Sequence, residues 1–147
     1  MFSPEVVALL AKRVTGVITT LTLDGSPHSV IAGVMIDGDE LISHTGPGAR
    51  RLAHLRNDPR INVLAIDPDT PMRYVEFRGT ATIEEALGAD MTESFREHAE
   101  KYDLPEDAGT VRADATVVKI RIKPHKIGYH DLDPSRMGPE QLQKRSS

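Results

Sequence analysis

Four arginines within eleven positions of an acidic chain are the strongest chemical signal in this sequence. The stretch HTGPGARRLAHLRNDPR, residues 44–60, carries Arg50, Arg51, Arg56 and Arg60 directly after a Gly-Pro-Gly turn, although the 147-residue chain has a net charge of -4. Glycines let a ligand approach the backbone, and a helix that begins there presents free amides and a partial positive charge. Guanidinium groups are forked donors that suit phosphate. The stretch therefore predicts a site for a phosphorylated ligand.

Within this stretch, Arg50 and Arg51 are the residues expected to hold the phosphate. A charge-assisted hydrogen bond contributes about 1.5–3 kcal/mol, so two or three of them would anchor a phosphorylated cofactor. The spacing is not that of a Walker loop, whose closing Lys-Ser/Thr pair is missing. The alternative interpretation is that the arginines are solvated or pair with nearby carboxylates. For Arg56 and Arg60, the candidate carboxylates are Asp58, Asp67 and Asp69.

The remaining polar residues show no catalytic or metal-binding pattern. The six histidines form no HExxH pair and no metal triad, and no serine has a histidine and an aspartate in register. We therefore expect no metal, and the catalytic residues stay unassigned. His98 is expected on a helix surface, and Glu84-Glu85 at a helix N-terminus. A protein without a catalytic group of its own must take its chemistry from a cofactor.

Composition argues against several classes of protein. The chain has no cysteine, which excludes disulfides, thiolate catalysis and cysteine-ligated metals. Its mild acidity and six scattered aromatic residues argue against nucleic acid as a partner. No apolar run approaches the roughly 20 residues of a membrane span, and the N-terminus does not resemble a secretory signal. A cytoplasmic protein without membrane contact is therefore expected.

The first half of the chain is expected to place the arginine stretch after an antiparallel meander. Ser3-Pro4-Glu5 predicts a helix start, and the helix should run over residues 3–13. A β-branched strand over residues 16–23 and a return strand over 27–36 are joined by the turn signal Asp24-Gly25. Residues 40–45 form the third strand. In this arrangement His28 and His44 lie on adjacent strands and could share a face.

The second half alternates less regularly. The predicted elements after the glycine turn are a short helix (49–57), strands (61–66 and 73–83), an amphipathic helix (84–102), a loop (104–114) and the last strands (115–130). Met91, Phe95, Ala99 and Tyr102 form a stripe on the amphipathic helix that is first a packing surface and second a cofactor wall. The fold class is mainly β, a six- to seven-stranded antiparallel barrel with peripheral helices. Residues 1–133 form one domain, and residues 134–147 a mobile tail.

The sequence also resembles a known protein family. The chain resembles the split-barrel flavin-binding proteins related to pyridoxamine 5'-phosphate oxidase, and especially their actinobacterial branch that uses the deazaflavin F420. The resemblance covers residues 3–131, and its most specific part is the HTGPGARRLAHLRNDPRINVLAID block. The other matching segments are the opening helix, GVITTLTLDGSPHSVIAGVMIDGDELI, PDTPMRYVEFRGTATI and VVKIRIKPHKIGYHD.

The resemblance implies a homodimer with two cofactor sites at the subunit interface. The residues it places at the cofactor are His28, Val30, Ile31, Ala32, His44, Thr45, Gly48, Arg50, Arg51, Met72 and Tyr74. It puts the phosphate on Arg50 and Arg51, and the strand from His28 to Val34 beside the ring. Met72 and Tyr74 are expected to reach the cofactor from the partner chain.

The function implied is an F420-dependent oxidoreductase that transfers a hydride between the deazaflavin and a small unsaturated organic acceptor. Two alternatives stay open: an FMN-binding oxidoreductase on the same fold, and a non-catalytic carrier of a flavin, deazaflavin or tetrapyrrole. Arg56 and Arg60 could meet the carboxylates of the F420 tail. The segment KIGYHDLDPSRM lacks the basic pattern of the oxidase proper, so pyridoxine phosphate is not the expected substrate.

Overall fold

The computed structural model describes residues 1–104 and 112–132, and within them the chain is mostly β. The strands are β1 (Thr15–Leu21), β2 (Pro27–Ala32), β3 (Met35–Asp37), β4 (Glu40–Thr45), β5 (Arg60–Ile66), β6 (Arg73–Leu87) and β7 (Thr116–Asp131). The helices are α1 (Pro4–Leu10), α2 (Arg50–Asn57) and α3 (Thr92–Lys101), and one turn of 3-10 helix over Gly88–Met91 precedes α3. The predicted strand number and the three helices are confirmed for these residues. The predicted tail and most of the predicted loop before the last strands lie outside them.

All seven strands form one antiparallel sheet in the order β2-β1-β5-β6-β7-β4-β3. The β1–β2 hairpin closes at the predicted turn, where Gly25 takes a φ of 86°. A positive φ costs glycine little and other residues more, so the Asp24-Gly25 pair determines where the chain reverses. This hairpin confirms the first part of the predicted meander.

The predicted second strand is wrong in its extent, because it breaks at Gly33, whereas its last residues still form a hairpin with the third strand as expected. The segment 27–36 divides into β2 and β3, which lie at opposite edges of the sheet. β4 pairs with β3 and with β7, so His28 and His44 are not on adjacent strands. The physical reason is that the amide and carbonyl of Val34 are bonded by side chains of α3 instead of by a neighbouring strand.

The helix predicted over residues 84–102 begins eight residues late. Glu84 to Leu87 continue β6, in register with Lys119 to Thr116 of β7. Their helix propensity is overridden because the segment pairs with the long closing strand and alternate residues gain ladder hydrogen bonds from it. Glu84 and Glu85 are therefore strand residues instead of a helix start.

The core lies on the concave side of the sheet. Alternate residues of the central strands point into it, including Ile18, Val63 and Phe77, each with no exposed surface. α1 is capped by Ser3, whose hydroxyl accepts from the amide of Val6, as its sequence predicts. Leu9 of α1 packs into the same cluster, so the helix covers one side of the core. No helix of the described residues is long and apolar enough to cross a membrane.

A buried carboxylate fastens the end of α1 to the β5–β6 turn. Asp67 is 1% exposed and accepts from the ammonium of Lys12 at 3.0 Å, from the guanidinium of Arg73 at 3.1 Å and from the amide of Asp69 at 2.8 Å. Burial alone would raise the pKa of Asp67, but these hydrogen bonds outweigh it and hold the pKa below 3.8. The carboxylate thus stabilises the fold in its charged form.

Replacing Asp67 by Asn should lower the free energy of unfolding by about 2–3 kcal/mol near neutral pH, because Lys12 and Arg73 lose a charged partner. The lowered pKa means that this stabilisation is complete above about pH 4 and is lost as the pH falls further. Denaturant unfolding at pH 7 and pH 3 measures both effects.

Asp69→Asn is the matched control, because Asp69 also pairs with Lys12 but its side chain is 73% exposed. The free energy of unfolding of Asp69→Asn should fall by less than about 1 kcal/mol. Equal losses from the two variants would contradict the role given to Asp67.

Candidate cofactor-binding site

The N-terminal end of α2 combines free backbone amides with two arginines. The helix begins at Arg50, and its cap residue, Ala49, has no side chain that could accept from the first amides. The first turn contains no acidic residue. Arg50 and Arg51 therefore stand at the positive end of the helix dipole, where cations are disfavoured and anions are stabilised. Two cations in this position are explained if an anion binds between them and the free amides.

The four arginines of the stretch separate into two pairs. Arg56 donates to Glu85 at 2.7 Å, and Arg60 forms a forked pair with Asp58, also at 2.7 Å. Among the described residues, Arg50 and Arg51 have no carboxylate partner. The alternative interpretation thus holds for Arg56 and Arg60 but not for the first pair.

Of the two arginines, Arg51 gives the clearer indication of a bound anion. Its Nε is buried and has no hydrogen-bond partner among the described residues, and burial lowers the pKa of the guanidinium. A half-buried cation with an unbonded donor is costly unless a ligand supplies the acceptor. A phosphate group has the charge and the oxygen atoms to do so, and the site therefore fits a phosphorylated cofactor.

α2 is held against the sheet by apolar contacts and one buried polar pair. Leu52 and Leu55 enter the core, while Nδ1 of His54 lies 2.9 Å from the hydroxyl of Thr20 on β1. His54 also meets the ring of His28 edge-on, with centroids 5.2 Å apart. Sequence reasoning assigned no role to His54, because its place between two buried leucines does not separate a packed histidine from an exposed one. The contact joins the start of β2 to the arginine helix.

β2 presents its predicted site residues on two faces. Val30 and Ala32 pack against the core, whereas the side chain of Ile31 points outward and is 78% exposed. These three side chains thus do not share one cofactor contact within a single chain. β2 pairs only with β1 among the described strands, so its second edge keeps backbone donors and acceptors for a ligand.

The end of β4 leads into the glycine turn. His44 and Thr45 are half-buried, and a side chain at Gly48 would meet no atom within 4 Å, so the loop is open to a ligand. Nε2 of His44 lies 2.7 Å from the hydroxyl of Ser94. Burial, followed by the nearby His98 and Lys119, lowers the pKa of His44 to about 4. The imidazole is therefore neutral at pH 7, able to donate from one nitrogen and accept at the other.

His98 is not on the helix surface, contrary to the prediction. Its ring packs against His44 and Tyr102, with centroids 5.8 and 4.8 Å away, and occupies the space that a side chain at Gly33 would need. The signal was present in the sequence, because residues 91, 95, 98 and 102 follow helical spacing and share one face.

Met72 and Tyr74 lie away from the arginine helix. Met72 is 43% exposed in the turn before β6, and Tyr74 stacks on His130 at 4.9 Å. No contact among the described residues joins them to Arg50 or Arg51. Within one chain, His28 contacts His54 of the arginine helix, and His44, Thr45 and Gly48 lead into that helix along the chain. No three His, Asp or Glu side chains of the described chain are grouped to hold a metal ion.

A mostly β antiparallel sheet of seven strands with peripheral helices is typical of the split-barrel class of proteins. The family model described as pyridoxamine 5'-phosphate oxidase matches residues 2–130, and the chain belongs to this family. The predicted split barrel is thereby confirmed. A comparison with curated proteins finds no match.

Solved structures of similar fold include proteins of different character. An F420 reductase superposes with a TM-score of 0.70 at 24% identity, over 82% of this chain and 94% of its own. A conserved hypothetical protein from Mycobacterium tuberculosis superposes with a TM-score of 0.74 at 24% identity, over 94% of this chain and 89% of its own. The heme storage protein HutZ from Vibrio cholerae superposes with a TM-score of 0.66 at 15% identity, over 87% of this chain and 94% of its own. These likenesses show the fold alone.

If Arg50 and Arg51 serve an anion, replacing them should not destabilise the protein without one. Arg50→Met and Arg51→Met should each raise the free energy of unfolding by about 0.3–1 kcal/mol at low ionic strength in phosphate-free buffer, because a cation leaves the positive helix end. Denaturant unfolding measures the change. Arg56→Met is the control and should give no increase, since it removes the pair with Glu85. A loss above about 1 kcal/mol in the first two variants would make these arginines structural.

Proposed function

We propose that this protein is an F420-dependent oxidoreductase that transfers a hydride between the deazaflavin and a small unsaturated organic acceptor. The observation that carries the proposal is the uncompensated pair Arg50 and Arg51 at the uncapped start of α2. Membership of the pyridoxamine 5'-phosphate oxidase family and the similar fold of an F420 reductase support it.

In this proposal each part of the site has a physical role. Arg50, Arg51 and the first amides of α2 bind the phosphate, and the free edge of β2 orients the ring. When bound, F420 supplies hydride chemistry at C5 of its ring. The neutral His44 can hydrogen-bond a ligand without adding charge, and the described residues need no nucleophile. Alignment of donor and acceptor and exclusion of water are the protein's contribution.

The proposal does not extend to Arg56 and Arg60, because each already has a carboxylate partner. FMN is the second candidate, since it also carries a phosphate that the same arginine pair could bind. A non-catalytic carrier is the third, and HutZ illustrates that proteins of this fold include one that is named for storage.

Paired titration of the purified protein with F420 and with FMN tests the proposal. F420 should bind more tightly than FMN. Its binding is measured by the quenching of its fluorescence. Arg51→Met should weaken binding by about 10- to 150-fold, the equivalent of one charge-assisted hydrogen bond. Arg56→Met should leave the affinity within about threefold, because Arg56 is engaged with Glu85.

Three outcomes would redirect the assignment. Tighter binding of FMN than of F420 would favour the flavin enzyme. Tight binding of either cofactor without turnover over a panel of enones, quinones and nitro compounds would favour a carrier. Binding that ignores Arg51→Met would remove the arginine pair from the site.

We also propose that a second copy of the chain completes the site. Ile31, Val17 and Leu64 lie side by side in the register of β2, β1 and β5, on the outer face of the sheet. Ile66 and Tyr74 continue this face one row further. An apolar outer face on a soluble sheet is unfavourable unless it is covered. A partner seated there would meet the face that carries Tyr74, which one chain alone keeps away from the arginines.

Ile31→Lys should convert a dimer to a monomer, because a desolvated ammonium in the interface has no partner. Light scattering after size-exclusion chromatography measures the mass. Leu23→Lys is the matched control, since Leu23 is 71% exposed at the β1–β2 turn and should leave the dimer intact. A wild-type protein that runs as a monomer at micromolar concentration would refute this proposal.

A further inference from the structure

α3 packs over the break between β2 and β3 and takes over the backbone bonding there. The amide of Val34 donates to the hydroxyl of Tyr102 at 3.1 Å. The ammonium of Lys101 donates to the carbonyl of the same residue at 2.6 Å. Both polar groups of one peptide position, buried at the end of the cofactor strand, are thus satisfied by adjacent residues of one helix.

The same helix reaches the end of β4. His98 packs on Gly33, where any Cβ would collide with its ring, and meets the ring of His44. The hydroxyl of Ser94 bonds the other side of His44. α3 therefore joins the end of β4, which leads into the arginine helix, to the end of β2. We call these contacts, made by Ser94, His98, Lys101 and Tyr102, the α3 clasp.

The clasp is assembled from groups that disfavour added protons. Burial lowers the pKa of Lys101 to about 8, and no carboxylate among the described residues pairs with it. Burial, and then the proximity of Lys101, lowers the pKa of His98. The buried Nδ1 atoms of both His44 and His98 have no hydrogen-bond partner within residues 1–104 and 112–132.

The charged groups around the clasp do not compensate it. His44 on β4 faces His98, and Lys119 on β7 adds a further positive charge beside His44. Burial raises the pKa of Tyr102, which stays neutral. Of the nearby carboxylates, Glu93 bonds Arg96 and Asp103 bonds Arg13. A proton on His98 would thus lie beside the Lys101 ammonium without an acceptor.

We propose that the α3 clasp sets the geometry of β2 for the cofactor, that Lys101 and Tyr102 are its positioning residues, and that protonation of His98 releases it. The positioning part rests on the proposed function, whereas the release does not. The α3 clasp favours a neutral His98, whose pKa is lowered in the folded chain. Its contacts are therefore fully formed above the ordinary histidine pKa of 6.5, and they weaken as the pH falls toward the lowered pKa of His98.

Amide hydrogen exchange of Val34, followed by NMR on the full chain without cofactor, tests the clasp directly. The protection factor of Val34 should fall at least tenfold in Tyr102→Phe, which keeps the ring but removes the hydroxyl that accepts from this amide. Protection of Val63 in the core reports whether the fold itself is intact and should not change. Tyr129→Phe, at an exposed tyrosine of β7, is the matched control and should leave Val34 unaffected.

The proton dependence is measured in the same experiment. Between pH 7.5 and pH 5 the protection factor of Val34 should fall at least fivefold, while that of Val63 stays constant. His98→Gln should flatten this dependence, because glutamine cannot take up the proton. Unchanged Val34 protection in Tyr102→Phe, or a flat profile in the wild type, would overturn the clasp or its release respectively.

Cofactor affinity tests the positioning role separately. If F420 binds through Arg51, its affinity should fall about tenfold in Tyr102→Phe and in Lys101→Met. Tyr129→Phe should leave the F420 affinity unchanged. Affinity that stays unchanged while Val34 protection falls would overturn the positioning role but leave the clasp. A protein that binds neither F420 nor FMN would overturn the proposed function and positioning together, and Val34 exchange would still decide the release.

Discussion

The arrangement of this site depends on two arginine cations at the positive end of a helix. The α2 dipole, the missing side-chain cap and the mutual repulsion of Arg50 and Arg51 all act against this placement, and no described carboxylate relieves it. The rest of the structure holds the two residues there in spite of the cost. Leu52 and Leu55 bury the helix in the core, and His54 bonds Thr20. An arrangement that is unfavourable in the free protein and corrected by a bound anion is how pre-organised binding sites store affinity.

Around this helix, the fold brings together strand ends that are distant in the sequence. β2 reaches the site through the His28–His54 contact, and β4 reaches it through the chain itself, since Thr45 leads into the glycine turn. α3 fastens these two strand ends to each other through Val34 and His44. Strands near both ends of the strand order thus contact the arginine helix or lead into it.

Local patterns predicted much of this architecture. The Asp24-Gly25 turn, the Ser3-Pro4 helix start and the nearly continuous apolar strand of residues 61–66 each depend on neighbouring residues, and each was found where expected. The failures came where distant partners decide. Residues 84–87 have helix propensity but pair with β7, and residues 27–36 read as one strand until α3 bonds Val34.

The sequence by itself predicted a phosphate site, since a glycine turn followed by paired arginines and a short helix is a local feature whose chemistry follows from residue type and spacing. It also determined the family, which residues 2–130 match. Only the tertiary structure decided which arginines are available. Glu85, the partner of Arg56, lies 29 positions away along the chain, while Arg50 and Arg51 have no carboxylate partner in the part of the chain that the structure describes. Likewise, the burial of His98 against Gly33 depends on two segments more than sixty positions apart, and the folded backbone alone determines that they meet.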